Sequence, residues 1–331
     1  MRILLTGASG FIGSTLAPAL LAEGHELRGL TRDPKHAKHV LRGPTRGLQR
    51  AREVSPSLPR APAMEVVRGD VLTGEGLARA LEGVEVAYYL IHSMEGAPTG
   101  ASPQSGFAER ERLAAGTFAA HARRAGVGRI VYLGGLLPRS GPASRHLASR
   151  AEVEEILFEH VPDSVALRAS IVIGARSRSF RLLVRLVERM PVLTLPAWRR
   201  FRTQPIDVRD TIEMLTAAAR LPTVGGRSLD IGGSEALTYE ELLQRIVELL
   251  LLPRPTVGLR VTMTPLTARL AAALTGEDPE LIRPLMEGLE CDLLADTDRA
   301  AELLGVELHS FDDAVECALR EWEAVEPLAA R

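Results

Sequence analysis

Arg2-Ile3-Leu4-Leu5-Thr6-Gly7-Ala8-Ser9-Gly10-Phe11-Ile12-Gly13 stands at the start of the chain. The apolar run predicts a strand over Arg2 to Leu5. A Gly-x-x-Gly-x-x-Gly turn follows and opens directly into an amphipathic stretch that ends near Gly24. Strand, glycine turn and helix in that order form a dinucleotide fingerprint. Gly7 permits the tight turn, Gly10 lets the backbone approach a pyrophosphate, and Gly13 lets helix and strand pack closely. The helix start adds free N–H groups and the positive end of a dipole. Ser9, Phe11 and Ile12 lie within the same turn and join the glycines as candidate cofactor contacts. A mononucleotide P-loop is excluded, because Gly-Lys-Ser/Thr is missing.

Beyond the turn, short β-branched or apolar runs alternate with longer amphipathic stretches, the pattern of βαβ units and a parallel sheet covered on both faces. The candidate strands are Arg2 to Leu5, Glu26 to Leu30, Met64 to Arg68, Val84 to Ile91, Arg129 to Leu133, Val165 to Ile171 and Arg227 to Ile231. Helical spacing recurs near 12–23, 75–82, 107–125, 146–159 and 207–220. From Thr238 onward strands are expected to stop and helices to dominate. The predicted fold is α/β, a Rossmann doubly wound parallel sheet with a smaller, mainly helical C-terminal substrate lobe. Residues 1–175, rejoined by 205–233, are expected to form the cofactor-binding core, and 176–204 with 234–331 the substrate lobe. Residues 35–63 carry seven Lys or Arg against Glu53 and four prolines and read as a basic loop; 93–106 are small and turn-forming and read as a mobile loop.

Composition narrows the function. In 331 residues, 46% hydrophobic and 25% charged side chains describe an ordinary globular chain, not a disordered or disulfide-rich one. A formal charge of −2 and 4% aromatics give no overall nucleic-acid footprint and few stacking surfaces. Of the 40 basic residues all but Lys35 and Lys38 are arginine, a bias that carries no chemistry by itself. Cys291 and Cys317 are the only cysteines and sit outside any Cys-x-x-Cys pattern, so neither a disulfide framework nor a zinc cluster is indicated, and a reducing cytoplasm is expected. Met1-Arg2 and the apolar run after it imitate a signal peptide, but Gly7, Gly10 and Gly13 interrupt it at a spacing with its own explanation. No apolar run approaches the roughly 18 residues of a membrane span. Eight histidines occur without His-Glu-x-x-His, so no metal site is expected, and no Gly-x-Ser-x-Gly suggests a hydrolase.

An NAD-selective site usually places an acid at the end of the second strand to bind the ribose 2′-hydroxyl. Here the stretch reads Gly29-Leu30-Thr31-Arg32-Asp33. Leu30 and Thr31 occupy the acid's place, and Arg32 offers a planar fork suited to a 2′-phosphate. NADP(H) is therefore favoured over NAD(H). The opposing possibility is that Arg32 is simply solvated.

The glycine turn, Arg68-Gly69-Asp70, Tyr89-Leu90-Ile91-His92-Ser93-Met94, Tyr132-Leu133-Gly134-Gly135 and His146-Leu147-Ala148-Ser149-Arg150 together resemble the atypical, extended short-chain dehydrogenase/reductases, nearest the NmrA-like NAD(P)H-binding group with its isoflavone-reductase-like relatives. The resemblance implies an extended Rossmann fold. It would place Asp70 and Val71 near the adenine, Leu90, Ile91 and His92 along the cofactor, and Ser170 and Ile171, within Ala169 to Ile173, beside the nicotinamide amide. Asp70 can equally cap a helix, and His92 can equally be structural support. The family's members use a Tyr-x-x-x-Lys pair and a strand-end serine. All three are missing. His146 holds the tyrosine's place, Arg150 the lysine's and Gly134-Gly135 the serine's.

A spacing of four keeps His146 and Arg150, the candidate catalytic pair, on one helical face. Their chemistry differs from the family's. Arginine stays charged and can only hold a ribose or an anion. A neighbouring cation depresses the pKa of His146 and so reduces its value as a general acid. Two functions fit. One is an oxidoreductase moving hydride from NADPH to a small quinone, an activated enone or a carbonyl, where positioning supplies much of the rate. The other is a non-catalytic NADP(H)-sensing regulatory or assembly protein. A small-molecule substrate is the expected partner, with no nucleic acid and no membrane span, and homo-oligomerisation is left open.

Overall fold

A computed structural model of the chain describes residues 1–42, 64–91, 105–259, 288–326 and 328. Strand and helix alternate through its first half: β1 (Arg2–Thr6), α1 (Phe11–Ala22), β2 (Glu26–Thr31), α2 (Pro34–Arg42), β3 (Glu65–Arg68), α3 (Leu77–Leu81), β4 (Val86–Tyr89), α4 (Ser105–Arg124), β5 (Arg129–Gly135), α5 (Arg145–His160) and β6 (Val165–Ala169). After these come β7 (Val172–Ile173), α6 (Arg178–Arg189), β8 (Leu193–Leu195), β9 (Arg202–Thr203), β10 (Ile206–Asp207), α7 (Val208–Arg220) and β11 (Arg227–Ile231). The remaining elements are β12 (Leu237–Thr238), α8 (Tyr239–Leu249), β13 (Thr256–Gly258), α9 (Thr297–Leu304) and α10 (Phe311–Glu323).

Seven strands form one sheet in the order β11-β6-β5-β4-β1-β2-β3, the doubly wound arrangement expected from the sequence. The β1–β2, β2–β3, β1–β4 and β4–β5 pairs are parallel. The order reverses at β1. Successive strands run outward on one side of it and then restart with β4 on the other, and ligands bind beyond the carboxyl ends of the strands at such a reversal. Ile3, Leu4 and Leu5 are fully buried, which is why this strand reads as a continuous apolar run. Each such burial contributes about 1.5–3 kcal/mol.

The chain divides into two compact units: Met1–Leu133 with Glu152–Leu167 and Ile212–Ser228, and Gly134–Ala151 with Arg168–Thr211 and Leu229–Arg331. The first has a core that includes Leu4, Val67, Tyr89, Phe118, Ile130 and Leu157. Buried Arg129 staples it by donating to the Asp163 carboxylate at 2.6 and 2.9 Å and to the carbonyls of Ala218 and Leu221 at 2.9 and 2.7 Å. An ion of this kind is tolerated inside because its donors are matched.

Phe180, Trp198, Tyr239, Leu242, Phe311 and Trp322 belong to the second unit's core. Here α6 meets α10 through Arg181 and Arg185, whose guanidinium carbons lie 4.2 and 4.9 Å from the Trp322 ring centroid while both donate to Glu326. A reciprocal capping box between Thr238 and Glu241 starts α8.

Four sequence expectations are corrected. Residues 34–42 are helix, not loop: Asp33 accepts from the N–H groups of Lys35 and His36 at 2.9 and 3.1 Å, and Pro34 takes the first position, where its missing N–H costs nothing. The rest of that basic stretch, 43–63, lies outside the described residues, as do 92–104. The strand expected to run to Ile171 breaks at Ser170, whose hydroxyl donates to the Gln204 carbonyl at 3.1 Å and accepts from Thr203 at 3.0 Å. Past that break, β7 pairs in parallel with β10. The strand expected over Val84 to Ile91 is only Val86–Tyr89. Strands do not stop at Thr238 either, because β13 pairs with β8, and α6 and the two-stranded pairs have no counterpart in the sequence reading.

Candidate functional site

The glycine turn has the geometry its spacing implies. Gly7 sits at φ +65, in the left-handed region. A Cβ there would stand 2.8 Å from the carbonyl oxygen of Leu90 at the end of β4. Thr6 ties the same two strand ends together, its hydroxyl donating to the Tyr88 carbonyl at 2.9 Å and accepting from the Leu90 N–H at 3.0 Å. Gly13 is crowded: a Cβ would lie 2.3 Å from the Gly7 oxygen. Gly10 differs. It is exposed, and a Cβ there would meet only the Gly7 oxygen, at 3.1 Å. It is also the N-cap of α1, with no side-chain cap and no acid in the first turn. The open side of Gly10, next to helix N–H groups that no side chain caps, is a cradle of the kind a pyrophosphate occupies.

The neighbouring strand ends carry the other candidates of this unit. Thr31 is half-buried, and its hydroxyl accepts from the Asp33 N–H at 3.2 Å. Arg32 is exposed. Asp33, the acid nearest the end of β2, has one carboxylate oxygen engaged in capping α2, and those N–H bonds hold its pKa below the ordinary value. Asp70 accepts from the Leu72 N–H at 2.8 Å, closing a turn beyond β3, while the N-cap of α3 is Gly76; the helix-cap alternative for Asp70 is therefore overturned. Val71 and Leu90 are buried and Ile91 half-buried. His92 lies outside the described residues.

The second unit holds the candidate catalytic pair. Ser144 starts α5 by accepting from the Leu147 N–H at 3.3 Å. One turn on, Arg150 is 7% exposed. Its side chain lies across the end of β5, since a Cβ at Gly135 would be 3.1 Å from both Cδ and Nε of Arg150 and 2.7 Å from Cδ2 of Leu147. His146 is half-buried. Burial first, and the Arg150 charge second, pull its pKa from 6.5 to about 3. The sequence gives the cation's direction correctly, but desolvation is the larger cause. At pH 7 the imidazole is neutral.

Ser170 and Ile171 follow β6. The Ser170 hydroxyl is engaged with Thr203 and Gln204, and the Ile171 carbonyl accepts from the Ile206 N–H at 2.9 Å. The Ile171 side chain is half-buried and packs against the second unit's core. Sequence reasoning missed the packing of Arg150 on Gly135; the signal was that serine and lysine are lost together. Among the described residues no helix is long and apolar enough to cross a membrane, and no three His, Cys, Asp or Glu side chains are grouped to hold a metal.

The reversal of strand order at β1, the glycine turn and the helix carrying residues 146 and 150 define an extended short-chain dehydrogenase/reductase. The chain belongs to the NAD dependent epimerase/dehydratase family, whose sequence profile matches residues 3–232. It is similar to the ceramide reductase of Caulobacter vibrioides, 27% identical over 242 residues, which is 73% of this chain and 68% of that protein. A 3-beta-hydroxysteroid dehydrogenase of Mycolicibacterium neoaurum is 34% identical over 88 residues, 27% of this chain and 18% of its own. Among solved structures, UDP-glucuronic acid 4-epimerase from Bacillus cereus, in complex with UDP-glucuronic acid and NAD, is 20% identical with a TM-score of 0.68, covering 98% of this chain and 100% of that one. At that identity the likeness is one of fold.

Proposed function

We propose that the chain is a nicotinamide-dependent reductase that delivers hydride to a small quinone or activated enone, with NADP(H) favoured. The observation that carries this is that, among the described residues, the candidate pair offers no ready proton donor: His146 is neutral at pH 7, and Arg150 is a cation that does not release its proton. A simple ketone needs a proton as hydride arrives. Quinones and enones spread the arriving charge and can be protonated later. A relative named as a reductase supports the direction of the reaction.

The cradle at Gly7, Gly10 and Gly13 suits a dinucleotide, which supplies the hydride when bound. Gly10 and the first N–H groups of α1 would hold its pyrophosphate, and Arg32 a 2′-phosphate, since Asp33 is engaged in capping α2. The remaining strand-end candidates, among them Ser9, Phe11, Ile12, Thr31, Val71, Leu90 and Ile91, would line the cofactor. His146 and Arg150 would orient the acceptor. The proposal includes 1–175 with 205–233 as the cofactor core, 176–204 with 234–331 as the substrate lobe, an NmrA-like placement within the family, and a cytoplasmic setting.

NADPH oxidation should be followed with a quinone, an activated enone and a simple ketone side by side. Turnover with the first two and not the third is expected. Tight NADPH binding without turnover on any acceptor would replace this proposal with the sensing role.

A further inference from the structure

The basic stretch that follows β2 runs on well past Arg32. From Arg32 to Arg60 it holds eight Lys or Arg against Asp33 and Glu53, a charge of +6 in a chain whose total is −2. Its described part is α2, a helix of 9 residues that contains no acid. The burial is one-sided: Ala37 is buried and Pro34 and Val40 half-buried, whereas Lys35, His36 and His39 are exposed. Positions 38 and 42, three and seven residues on from Lys35, fall on that same outer side. Every ionisable residue of α2 is therefore basic and stands on the side turned away from the sheet. Asp33 is the one acid beside it. That carboxylate attracts Lys35 and His36 but is engaged by their backbone N–H groups in starting the helix. On the neighbouring β3, Glu65 is taken up by Arg28 at 2.8 Å and Arg68 is exposed, so the strand adds no free acid. Among the described residues no ion pair joins Lys35, His36 or His39 to an acid.

The choice of cation separates this helix from the rest of the chain. Arginines elsewhere make fixed pairs, as Arg28, Arg129 and Arg245 do with carboxylates. Both of the chain's lysines, Lys35 and Lys38, are on α2. A lysine is a compact, hydrated charge on a flexible stem, suited to many loose contacts more than to one planar fork. From this we infer that the outer side of α2 docks on an anionic lipid surface. The helix has no Ser, Thr, Asn, Gln or aromatic residue, so it offers charge without groups that read or stack on bases. Its other side is packed beside β3, and a helix held that way presents one face, which is all that a flat bilayer requires. Because the apolar side is already used within the protein, α2 inserts nothing into the bilayer, and the attachment is electrostatic, reversible and salt-sensitive. Each Lys or Arg close to such a surface tightens binding about fivefold. The remainder of the chain is net negative and is repelled by the same surface, which turns α2 toward it.

Sedimentation of the full chain with vesicles tests this. Phosphatidylcholine vesicles should be compared with vesicles that also contain phosphatidylglycerol, at about 50 and about 500 mM NaCl, where screening differs severalfold in range. Wild type should bind the anionic vesicles at low salt, release them at high salt and ignore the neutral ones. Lys35→Gln combined with Lys38→Gln should weaken that binding about 25-fold, two charges at about fivefold each. The control removes two exposed arginines at the end of α4, Arg123→Gln with Arg124→Gln, and should stay within about twofold of wild type. NADPH affinity and thermal midpoint, read on the same samples, should be unchanged in both. No binding by wild type, equal binding to neutral vesicles, or equal losses in the two double variants would each overturn the inference. So would a lysine variant that keeps its vesicles and loses NADPH, which would give the face to the cofactor. Tighter binding of wild type to a short DNA or RNA duplex than to the anionic vesicles, lost in the lysine variant, would replace the lipid surface with nucleic acid.

Discussion

The side chain of Arg150 packs on Gly135, with Cδ and Nε each 3.1 Å from where a Gly135 Cβ would stand, and Leu147 Cδ2 lies closer still, at 2.7 Å. Two positions at which the chain departs from the family pattern are therefore in contact, and a side chain added at one must displace Leu147 and the arginine stem. Restoring the serine alone should fail. Gly135→Ser is expected to destabilise the fold by about 1–3 kcal/mol, the usual penalty for overpacking. Adding Arg150→Ala should recover part of that loss. Urea unfolding of both single variants and the double variant gives the coupling, and additivity within about 0.5 kcal/mol would mean that the two side chains do not compete.

Gly10 and Gly13 should behave differently although they belong to one motif. A Cβ at Gly13 would meet backbone at 2.3 Å, so Gly13→Ala should lower the thermal midpoint sharply. A side chain at Gly10 would press only on the Gly7 oxygen, at 3.1 Å, so Gly10→Val should lower the midpoint far less than Gly13→Ala yet lose NADPH binding, because its side chain fills the place of the pyrophosphate. Unchanged affinity in folded Gly10→Val would remove the cradle from the proposal.

Arg32→Ala should weaken NADPH binding by about 10- to 150-fold, the equivalent of roughly 1.5–3 kcal/mol for a charge-assisted hydrogen bond to phosphate, and spare NADH. Equal losses for both cofactors, read by fluorescence titration, would assign Arg32 to structure.

The fold was legible because its deciding signals are local: a buried strand, a glycine spacing and a helix stand within the first two dozen residues. Asp33-Pro34 also carried a legible helix start, a capping acid followed by proline, which the surrounding basic charge obscured. Other features depend on contacts distant in sequence. Ser170 ends β6 through bonds to residues more than thirty positions away, and strands of two or three residues such as β9 and β13 are too short to show a period. At the candidate site, the spacing of His146 and Arg150 revealed the cation's pull on the imidazole. Burial, the larger influence, is a property of packing and had no sequence signal.

That burial makes a stability prediction. His146 has a folded-state pKa of about 3 against 6.5 in an unfolded chain. Between those values the unfolded chain binds a proton that the folded protein does not, so stability is complete above about pH 6.5 and falls as the pH drops toward 3. His146→Gln removes this proton uptake and should flatten the fall in urea midpoint between pH 6.5 and 4. A variant whose midpoint falls in parallel with wild type would show that His146 is solvated.

The central claim is that hydride transfer here proceeds without a protein proton donor, and the pH dependence of turnover in wild type and His146→Ala tests it most directly. With NADPH and a quinone over pH 5–9, kcat should be nearly flat, and His146→Ala should lose far less than the 10²- to 10⁴-fold expected when a general acid is removed. Rapid reduction of a simple ketone that titrates near pH 6–7 and collapses in His146→Ala would contradict it and make His146 the acid.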